Sequence, residues 1–404
     1  MSSHRTHRRD FLAGSAAALA SAGLTGLAFP QVAGAEPPRI APDAPVRLGI
    51  IGAGGRGNEL LRCAYAVKAH FTVRAIADPS EANIGRTLEQ IAKNGDDKPE
   101  VYRGEEEYRR LLAREDIDAV IIAVPPDLHA RMYLDAFAAG KHMYAEKPMC
   151  VSVAEINALV EAQARHRDVI CQIGFQRRSS NFYRQAIARL HEGMCGEIFE
   201  CLGAWRLSGG PLGLPDSGTQ IWFGRAARSG DWMIEQACHT WDVMCWAAGD
   251  MPVAACGRGR RGLFKHIDPD RDVTDFYLAH LEFPNGMLAD FEHNWMCPQF
   301  DDDKREFTGI FERFTGPNGG IALGEWPRQA RFFPRSGKDK CVDFGDLSKN
   351  TTEESVETFF RCLRSGEKPP SGVENGRLAT LTGLLVRKAV YEGRRVEMKE
   401  ILAG

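Results

Sequence analysis

Gly52-Ala53-Gly54-Gly55-Arg56-Gly57 fits the pattern G-x-G-x-x-G. It stands where that pattern has a mechanism, after the short apolar run Val46-Arg47-Leu48-Gly49-Ile50-Ile51 and before a stretch at 58–66 with apolar residues at helical spacing. Gly52 permits a tight turn, Gly54 lets the backbone approach a diphosphate, and Gly57 allows a helix to pack closely on a strand. The start of the helix that follows offers N–H groups to negative charge, with Gly55 and Arg56 of the loop as further cofactor contacts. Asp78 ends the next strand-like run, where a carboxylate accepts hydrogen bonds from ribose hydroxyls and repels a 2′-phosphate. Loop and acid together point to NAD in preference to NADP, with nearby Arg56 the one residue that softens the preference.

These residues need a parallel sheet to hold them. Strand-like runs at 46–51, 71–77, 101–102, 119–124, 142–145 and 169–173 alternate with helical patterns at 58–66, 84–92, a stretch ending near Leu112, 129–139 and 153–165. Such alternation implies an α/β Rossmann domain with a doubly wound parallel sheet over 46–173. The run Ala119-Val120-Ile121-Ile122-Ala123-Val124 is apolar throughout, as a central strand covered on both faces should be. Val124 and Pro125 at its carboxyl end reach the edge where such sheets bind ligands, either as a proline-made turn or as a contact to the nicotinamide ribose. After Gly174 the pattern changes. A helix at 181–190 is followed by alternating strands at 196–205 and 276–296, with Pro284-Asn285-Gly286 as a hairpin turn, and by a second strand-turn-strand at 311–323. Helices at 352–364 and 375–392 close the chain. The expected second domain, 174–404, is α+β with a large, open, mainly antiparallel sheet.

The chain has 404 residues and a formal charge of −3, too long for one ordinary core and too balanced to suggest a nucleic-acid partner. Residues 1–35 read as a leader: basic His4, Arg5, His7, Arg8 and Arg9, an apolar run at 11–29, then Ala33-Gly34-Ala35 as a small-residue cleavage site. Arg8-Arg9 followed by Phe11 and Leu12 is similar to a twin-arginine export signal, with an uncleaved anchor or an ordinary secretory signal as the alternatives. The twin-arginine reading implies a periplasmic protein that meets the export machinery already folded, carries its cofactor with it, and has no stable membrane span after processing. Residues 36–45, rich in proline, would be a linker. The 11 cysteines are odd in number, scattered, and free of C-x-x-C or zinc-ligand spacing, so neither a disulfide framework nor a metal is expected. Asp301-Asp302-Asp303-Lys304 lacks the spacing of a calcium loop and reads as a solvated loop.

The glycine loop, Val124-Pro125-Pro126-Asp127-Leu128-His129-Ala130, Glu146-Lys147-Pro148, Gly174-Phe175-Gln176-Arg177-Arg178 and Glu235-Gln236-Ala237-Cys238-His239-Thr240-Trp241-Asp242 occur in an order that resembles one family. That family is glucose-fructose oxidoreductase and inositol dehydrogenase, the Gfo/Idh/MocA proteins. The likeness spans nearly the whole chain beyond the leader. It implies hydride transfer at a carbinol carbon of a sugar, cyclitol or glycoside, with Lys147, His239 and Glu235 catalytic. It also implies cofactor contacts from Val124, Pro125, His129, Glu146, Lys147 and Gln176, and a homodimer or homotetramer. Oxidising an alcohol requires a base beside the nicotinamide; His239 can serve near neutral pH, and a protonated Lys147 can stabilise the developing alkoxide. Glu235 stands where the family more often has aspartate, so it either touches substrate or orients His239. If that stretch is helical, it would share a face with His239. Pro126 replaces a frequent Asn or Asp.

Substrate-binding candidates are Arg177, Arg178, Trp222 and Asp242. One arginine would bind substrate hydroxyls or cofactor phosphate while the other forms a structural ion pair. Among Trp222, Trp232, Trp241 and Trp295, one or two would stack on a sugar ring and the rest fill the core. Two other activities fit the same residues: NAD-assisted glycoside cleavage by oxidation, elimination and re-reduction, or a sugar-binding protein without turnover. Intact Lys147 and His239 argue against the last.

Overall fold

The computed structural model describes residues 37, 40–41, 43–215, 219–298 and 307–403. The expected leader and the Asp301–Lys304 loop lie outside them. The first sheet holds β1 (Val46–Ile51), β2 (Phe71–Ala77), β3 (Glu100–Tyr102), β4 (Ala119–Ile122), β5 (His142–Ala145) and β6 (Cys171–Ile173), in the order β3-β2-β1-β4-β5-β6, all pairs parallel. The helices between them are α1 (Gly55–Ala66), α2 (Glu81–Asn94), α3 (Tyr108–Leu112), α4 (His129–Ala138) and α5 (Val153–Arg165). Strand order reverses between β1 and β4, so the carboxyl ends of these two strands open the crevice that ligands of such sheets occupy.

The second sheet is larger. After α6 (Asn181–His191) come β7 (Glu200–Arg206), the short helices α7 (Ala226–Ser229) and α8 (Trp232–Glu235), and α9 (Cys238–Ala248). Then follow β8 (Ala254–Arg261), β9 (Thr274–Glu282), β10 (Leu288–Asn294), β11 (Gly309–Gly316), β12 (Gly319–Trp326), β13 (Arg328–Pro334) and β14 (Val342–Asp343). Helices α10 (Thr351–Ser365) and α11 (Val373–Glu392), strand β15 (Val396–Glu397) and α12 (Met398–Leu402) end the chain. The nine strands run β14-β13-β12-β11-β7-β10-β9-β8-β15, antiparallel except for β7 beside β10. The 284–286 turn joins β9 to β10 as the sequence suggests, closed by Phe283 N–H to Met287 C=O at 2.9 Å.

Two parts of this architecture differ from the sequence reading. Strand β8 lacks alternation because α11 lies directly on it: a Cβ on Gly257 or Gly259 would approach Val390 to 2.7 or 3.0 Å. Backbone-to-helix contact there replaces the side chains that would have announced a strand. Helix α10, assigned by sequence to the second domain, buries Val356, Phe359, Phe360 and Leu363 in the same apolar cluster as Val46, Leu48 and Leu60 of the first sheet. The chain after 173 therefore crosses back over the Rossmann layer, since that face of β1 and α1 would otherwise expose apolar surface.

Candidate active site

The glycine loop has the geometry its sequence requires. Gly52 has φ of 88°, and a Cβ there would lie 2.2 Å from the Ala123 carbonyl, so only glycine fits between β1 and the end of β4. A Cβ on Gly57 would lie 2.0 Å from the Gly52 carbonyl, which is the close helix-to-loop approach. Around Gly54 and Gly55 the space is open: the nearest atom to a Gly54 Cβ is 3.8 Å away and Gly55 meets nothing within 4 Å. No side chain caps α1, so its first-turn N–H groups face that space without a partner from a capping residue. The cradle fits a diphosphate.

Asp78 sits beside it, buried, and does more than await a ribose. Its Oδ2 accepts from Ala53 N–H at 2.7 Å, and its Oδ1 accepts from Ser80 N–H at 2.8 Å and from Asn83 Nδ2 at 3.2 Å. The carboxylate thus fixes the glycine loop, whatever it offers a ribose. Asn58 adds a second staple, donating to the Ala53 carbonyl at 2.7 Å. Sequence reasoning passed over both asparagines, whose roles depend on side-chain direction and not on spacing.

Arg56 turns away from the role of softening the NAD preference. Its Nε donates to Glu146 Oε1 at 2.6 Å, joining the loop after β1 to the loop after β5. Burial works against its charge, but Glu146 more than compensates and the guanidinium pKa is raised. Glu146 Oε2 also accepts the Lys147 N–H at 3.0 Å. Glu146 therefore organises the site through its neighbours. His129 is a further correction: it is fully buried, with Nδ1 2.5 Å from the Pro148 carbonyl and Nε2 2.8 Å from the Val124 carbonyl. It braces the ends of β4 and β5 and offers no free nitrogen to a cofactor. Val124 and Pro125 remain half-exposed at the crevice, and the buried Gln176 Oε1 has no protein partner.

Across the cleft, Lys147 Nζ donates to Glu235 Oε1 at 2.7 Å and to the Glu235 carbonyl at 2.8 Å. Burial lowers the ammonium's affinity for its proton, yet Glu235, followed by Cys238 and Glu146, outweighs it, and the Lys147 pKa is raised. Lys147 stays charged. Glu235 closes α8 while His239 lies in α9, beyond a break at Gln236-Ala237, so the expected shared helical face is absent and Glu235 orients Lys147 instead of His239.

His239 is nearly buried, with its ring 6.0 Å from Phe175, just past β6, and stacked 6.0 Å from Trp205 at an interplanar angle of 17°. Its buried Nδ1 has no protein partner. Burial first, then the charges of Lys147, Arg177 and Arg56, push its pKa well below the ordinary histidine value, so the imidazole is neutral. A neutral ring nitrogen beside a fixed ammonium, at the carboxyl ends of parallel strands, can take a hydroxyl proton while the cation holds the oxygen.

The substrate candidates divide. Arg177 is 1% exposed and donates to Glu312 at 2.6 Å, its guanidinium lying over the Tyr183 and Trp205 rings. Arg178 donates to both Asp242 oxygens at 2.7 and 2.9 Å, with Asp242 1% exposed. Both arginines, and Asp242, are thus spent on buried ion pairs, which corrects their placement at the substrate. Trp232 and Trp241 are core. Trp222 is half-exposed and stacks on Phe223, outside the His239 contacts, while Trp295 donates to Gln236 Oε1 at 2.7 Å. Trp205, which sequence reading missed, is the tryptophan against His239. Among the described residues no group of His, Cys, Asp and Glu is arranged to hold a metal ion, and no helix is long and apolar enough to cross a membrane.

Comparison with known proteins adds ancestry to this geometry. A glycosyl hydrolase family 109 protein of Shewanella baltica (strain OS185) is 34% identical over 174 residues, 40% of this chain and 38% of that protein, so the chain spans about two fifths of the length of this relative. The scyllo-inositol 2-dehydrogenase (NAD(+)) of Bacillus subtilis (strain 168) is 27% identical over 272 residues, 67% of this chain and 74% of that enzyme. The crystal structure of aldose-aldose oxidoreductase from Caulobacter crescentus complexed with glycerol superposes with a TM-score of 0.72 at 20% identity, covering 87% of this chain and 99% of that one, a likeness of fold. Residues 46–175 match the NAD-binding Rossmann fold of the Gfo/Idh/MocA oxidoreductase family and residues 183–310 its C-terminal domain. With both domains matched over more than half its length, the chain belongs to the Gfo/Idh/MocA oxidoreductase family.

Proposed function

We propose that the protein is an NAD-dependent oxidoreductase acting on a CH–OH group of a sugar, cyclitol or glycoside. The observation that carries this reading is an ammonium held by Glu235 whose charge is felt by a neutral His239, the imidazole packing on Phe175 just past β6 of the parallel sheet. NAD, when bound, accepts the hydride. Lys147 binds the substrate oxygen and stabilises its developing charge, and His239 accepts the hydroxyl proton. Burial and the nearby charges of Lys147, Arg177 and Arg56 keep the imidazole from retaining that proton. Phe175 and Trp205 hold the imidazole plane. Absorbance of NADH on mixing protein, NAD⁺ and a panel of aldoses and inositols tests the reading, and absence of nucleotide binding by calorimetry would end it.

The glycosyl hydrolase family 109 relatives favour a second reading, redox-neutral glycoside cleavage on the same residues. Release of free sugar from a glycoside without net NADH would select it over the first.

We further propose export of the folded protein to the periplasm through the twin-arginine pathway, with NAD retained. The order of basic, apolar and small residues at 1–35 supports it. So do the cysteines: all 11 are free and nine are buried, as suits folding in a reducing compartment. Loss of periplasmic protein on replacing Arg8 and Arg9 by lysine is the expected result of cell fractionation. A homodimer or homotetramer is proposed as well, supported by Leu202, Leu278 and Leu288, each 39–51% exposed on the second sheet. Light scattering of the purified protein decides it.

A further inference from the structure

Gln236 lies in the chain between Glu235 and His239 and has a hydrogen-bonding arrangement that fixes which way its amide points. Its Oε1 accepts from His293 Nε2 and from Trp295 Nε1, both at 2.7 Å. An indole N–H can only donate, so the atom it meets must be the amide oxygen, and the NH₂ group is turned to the other side. No described residue accepts from that nitrogen. The arrangement is rigid as well as oriented: His293 is fully buried, stacked between Tyr277 at 5.3 Å and Trp232 at 5.6 Å, and burial lowers its pKa to about 3. It therefore remains a neutral donor.

The position of this amide relative to the reacting centre follows from the sheet. Trp205 and His293 are register partners on the parallel strands β7 and β10. Trp205 carries His239 on its ring, and His293 carries Gln236 by a hydrogen bond. The two anchor points are therefore one strand spacing apart, ~4.8 Å. Gln236 and His239 are thus held by neighbouring side chains of one sheet face, an arrangement suited to two oxygens of one polyhydroxylated molecule.

Resting on the function proposed above, we propose that Gln236 is a specificity-determining residue: its amide N–H₂ donates to a second hydroxyl or carbonyl oxygen of a polyol substrate whose first hydroxyl meets His239 and Lys147. A simple alcohol leaves this donor unpaired. The arrangement thus selects vicinal or 1,3-related oxygens, the pattern of sugars and cyclitols.

The test uses the full-length protein with NAD⁺, taking D-glucose, D-galactose, D-xylose, scyllo-inositol and glycerol as probes. NADH formation and tryptophan fluorescence are followed in the wild type, in Gln236→Met, which removes the donor, and in Gln236→Glu, which keeps both accepted bonds but has no N–H. For the probe the wild type handles best, both variants should raise KM by about 10-fold or more, as expected when a buried donor pair is lost, with kcat within about threefold. The monodeoxy analogue that binds the wild type worst should lose nothing further in Gln236→Met. An unchanged KM in both variants, or a fall in kcat alone, overturns the role of Gln236 while leaving the oxidoreductase reading intact. Neither NADH formation nor binding with any probe in the wild type overturns that reading and the role of Gln236 with it.

Discussion

The Lys147 ammonium donates to two oxygens of one residue, Glu235, at 2.7 Å to the carboxylate and 2.8 Å to the main-chain carbonyl. One residue on the second domain thus sets both the charge and the direction of a cation carried by the first. Replacing Glu235 by glutamine removes the charge and keeps the size. Because burial opposes the Lys147 charge and Glu235 is the largest of the groups restoring it, the Lys147 pKa should fall in Glu235→Gln. The alkaline limb of the pH–rate profile should move to lower pH, and kcat should drop by about 10²-fold at neutral pH. Lys147→Met should lose more, about 10³-fold, and should also destabilise the fold by about 3 kcal/mol in urea titration, since Glu235 is then a buried charge without its partner. An alkaline limb unmoved in Glu235→Gln would separate the two residues functionally.

The glycine loop offers a contrast between two substitutions of equal size. Gly57→Ala forces a Cβ to 2.0 Å from the Gly52 carbonyl, a backbone atom that cannot step aside, so melting temperature and NAD⁺ affinity should both fall. Gly54→Ala meets nothing closer than 3.8 Å and should fold as well as the wild type. Its methyl group occupies the side from which a diphosphate approaches, so NAD⁺ affinity should still fall, by about tenfold. Thermal melts with and without NAD⁺ distinguish the two. Equal NAD⁺ affinity in Gly54→Ala and the wild type would move the diphosphate elsewhere.

How much of this could be read from the chain depends on whether a residue's role is set locally. The Rossmann strands and the glycine loop follow from apolar runs and from glycines whose reason is steric, and the sequence places β1, β2 and β5 at their observed limits. The pairing of Arg177 with Glu312 spans 135 positions and that of Arg178 with Asp242 spans 64, and neither leaves a local mark. The sequence therefore suggested one arginine at the substrate and one in an ion pair, where the structure pairs both. His129 misled in the same way, because a histidine that bonds two carbonyls is indistinguishable by spacing from one that meets a cofactor. Trp205 escaped notice since only the β7–α9 packing brings it to His239. The lysine, the histidine and the acid were legible as a set, but which of them the acid serves was not.

His293 makes the fold pH-sensitive in a defined direction. Its pKa is lowered to about 3 in the folded protein, while the unfolded chain protonates near 6.5. Between these values the unfolded state binds the extra proton, so this group's contribution to stability is complete above about pH 6.5 and is lost as pH falls. The slope from this one residue is about 0.7 kcal/mol per pH unit at pH 6.5 and approaches about 1.4 kcal/mol per pH unit near pH 5. His129 and His239, also lowered by burial, act in the same sense. Guanidinium titrations at pH 6.5 and 5.5 should show the wild type losing about 1 kcal/mol more than His293→Gln over that unit, since at pH 6.5 only about half of the unfolded chains carry the proton. An identical loss in both would show that His293 does not stay neutral on acidification.

Asp78 carries two duties whose separation can be measured. Its carboxylate accepts Ala53 N–H and Ser80 N–H, at 2.7 and 2.8 Å, and it stands at the carboxyl end of β2, where a dinucleotide bound to such a fold would place its adenosine ribose. Asp78→Ser removes the negative charge that opposes a 2′-phosphate and leaves at least one of those loop donors short of an acceptor. The first change should raise the ratio of NADP⁺ to NAD⁺ affinity by about tenfold or more, because like charges in contact cost several kcal/mol. The second should lower stability by about 1–3 kcal/mol whichever nucleotide is present. Calorimetric titration with each nucleotide reads the first effect and denaturant unfolding of the apoprotein reads the second. Arg56, already neutralised by Glu146, supplies no substitute charge for the 2′-phosphate, so any gain in NADP⁺ binding has to come from the lost repulsion. A wild type that already favours NADP⁺ would mean that Asp78 serves the loop alone.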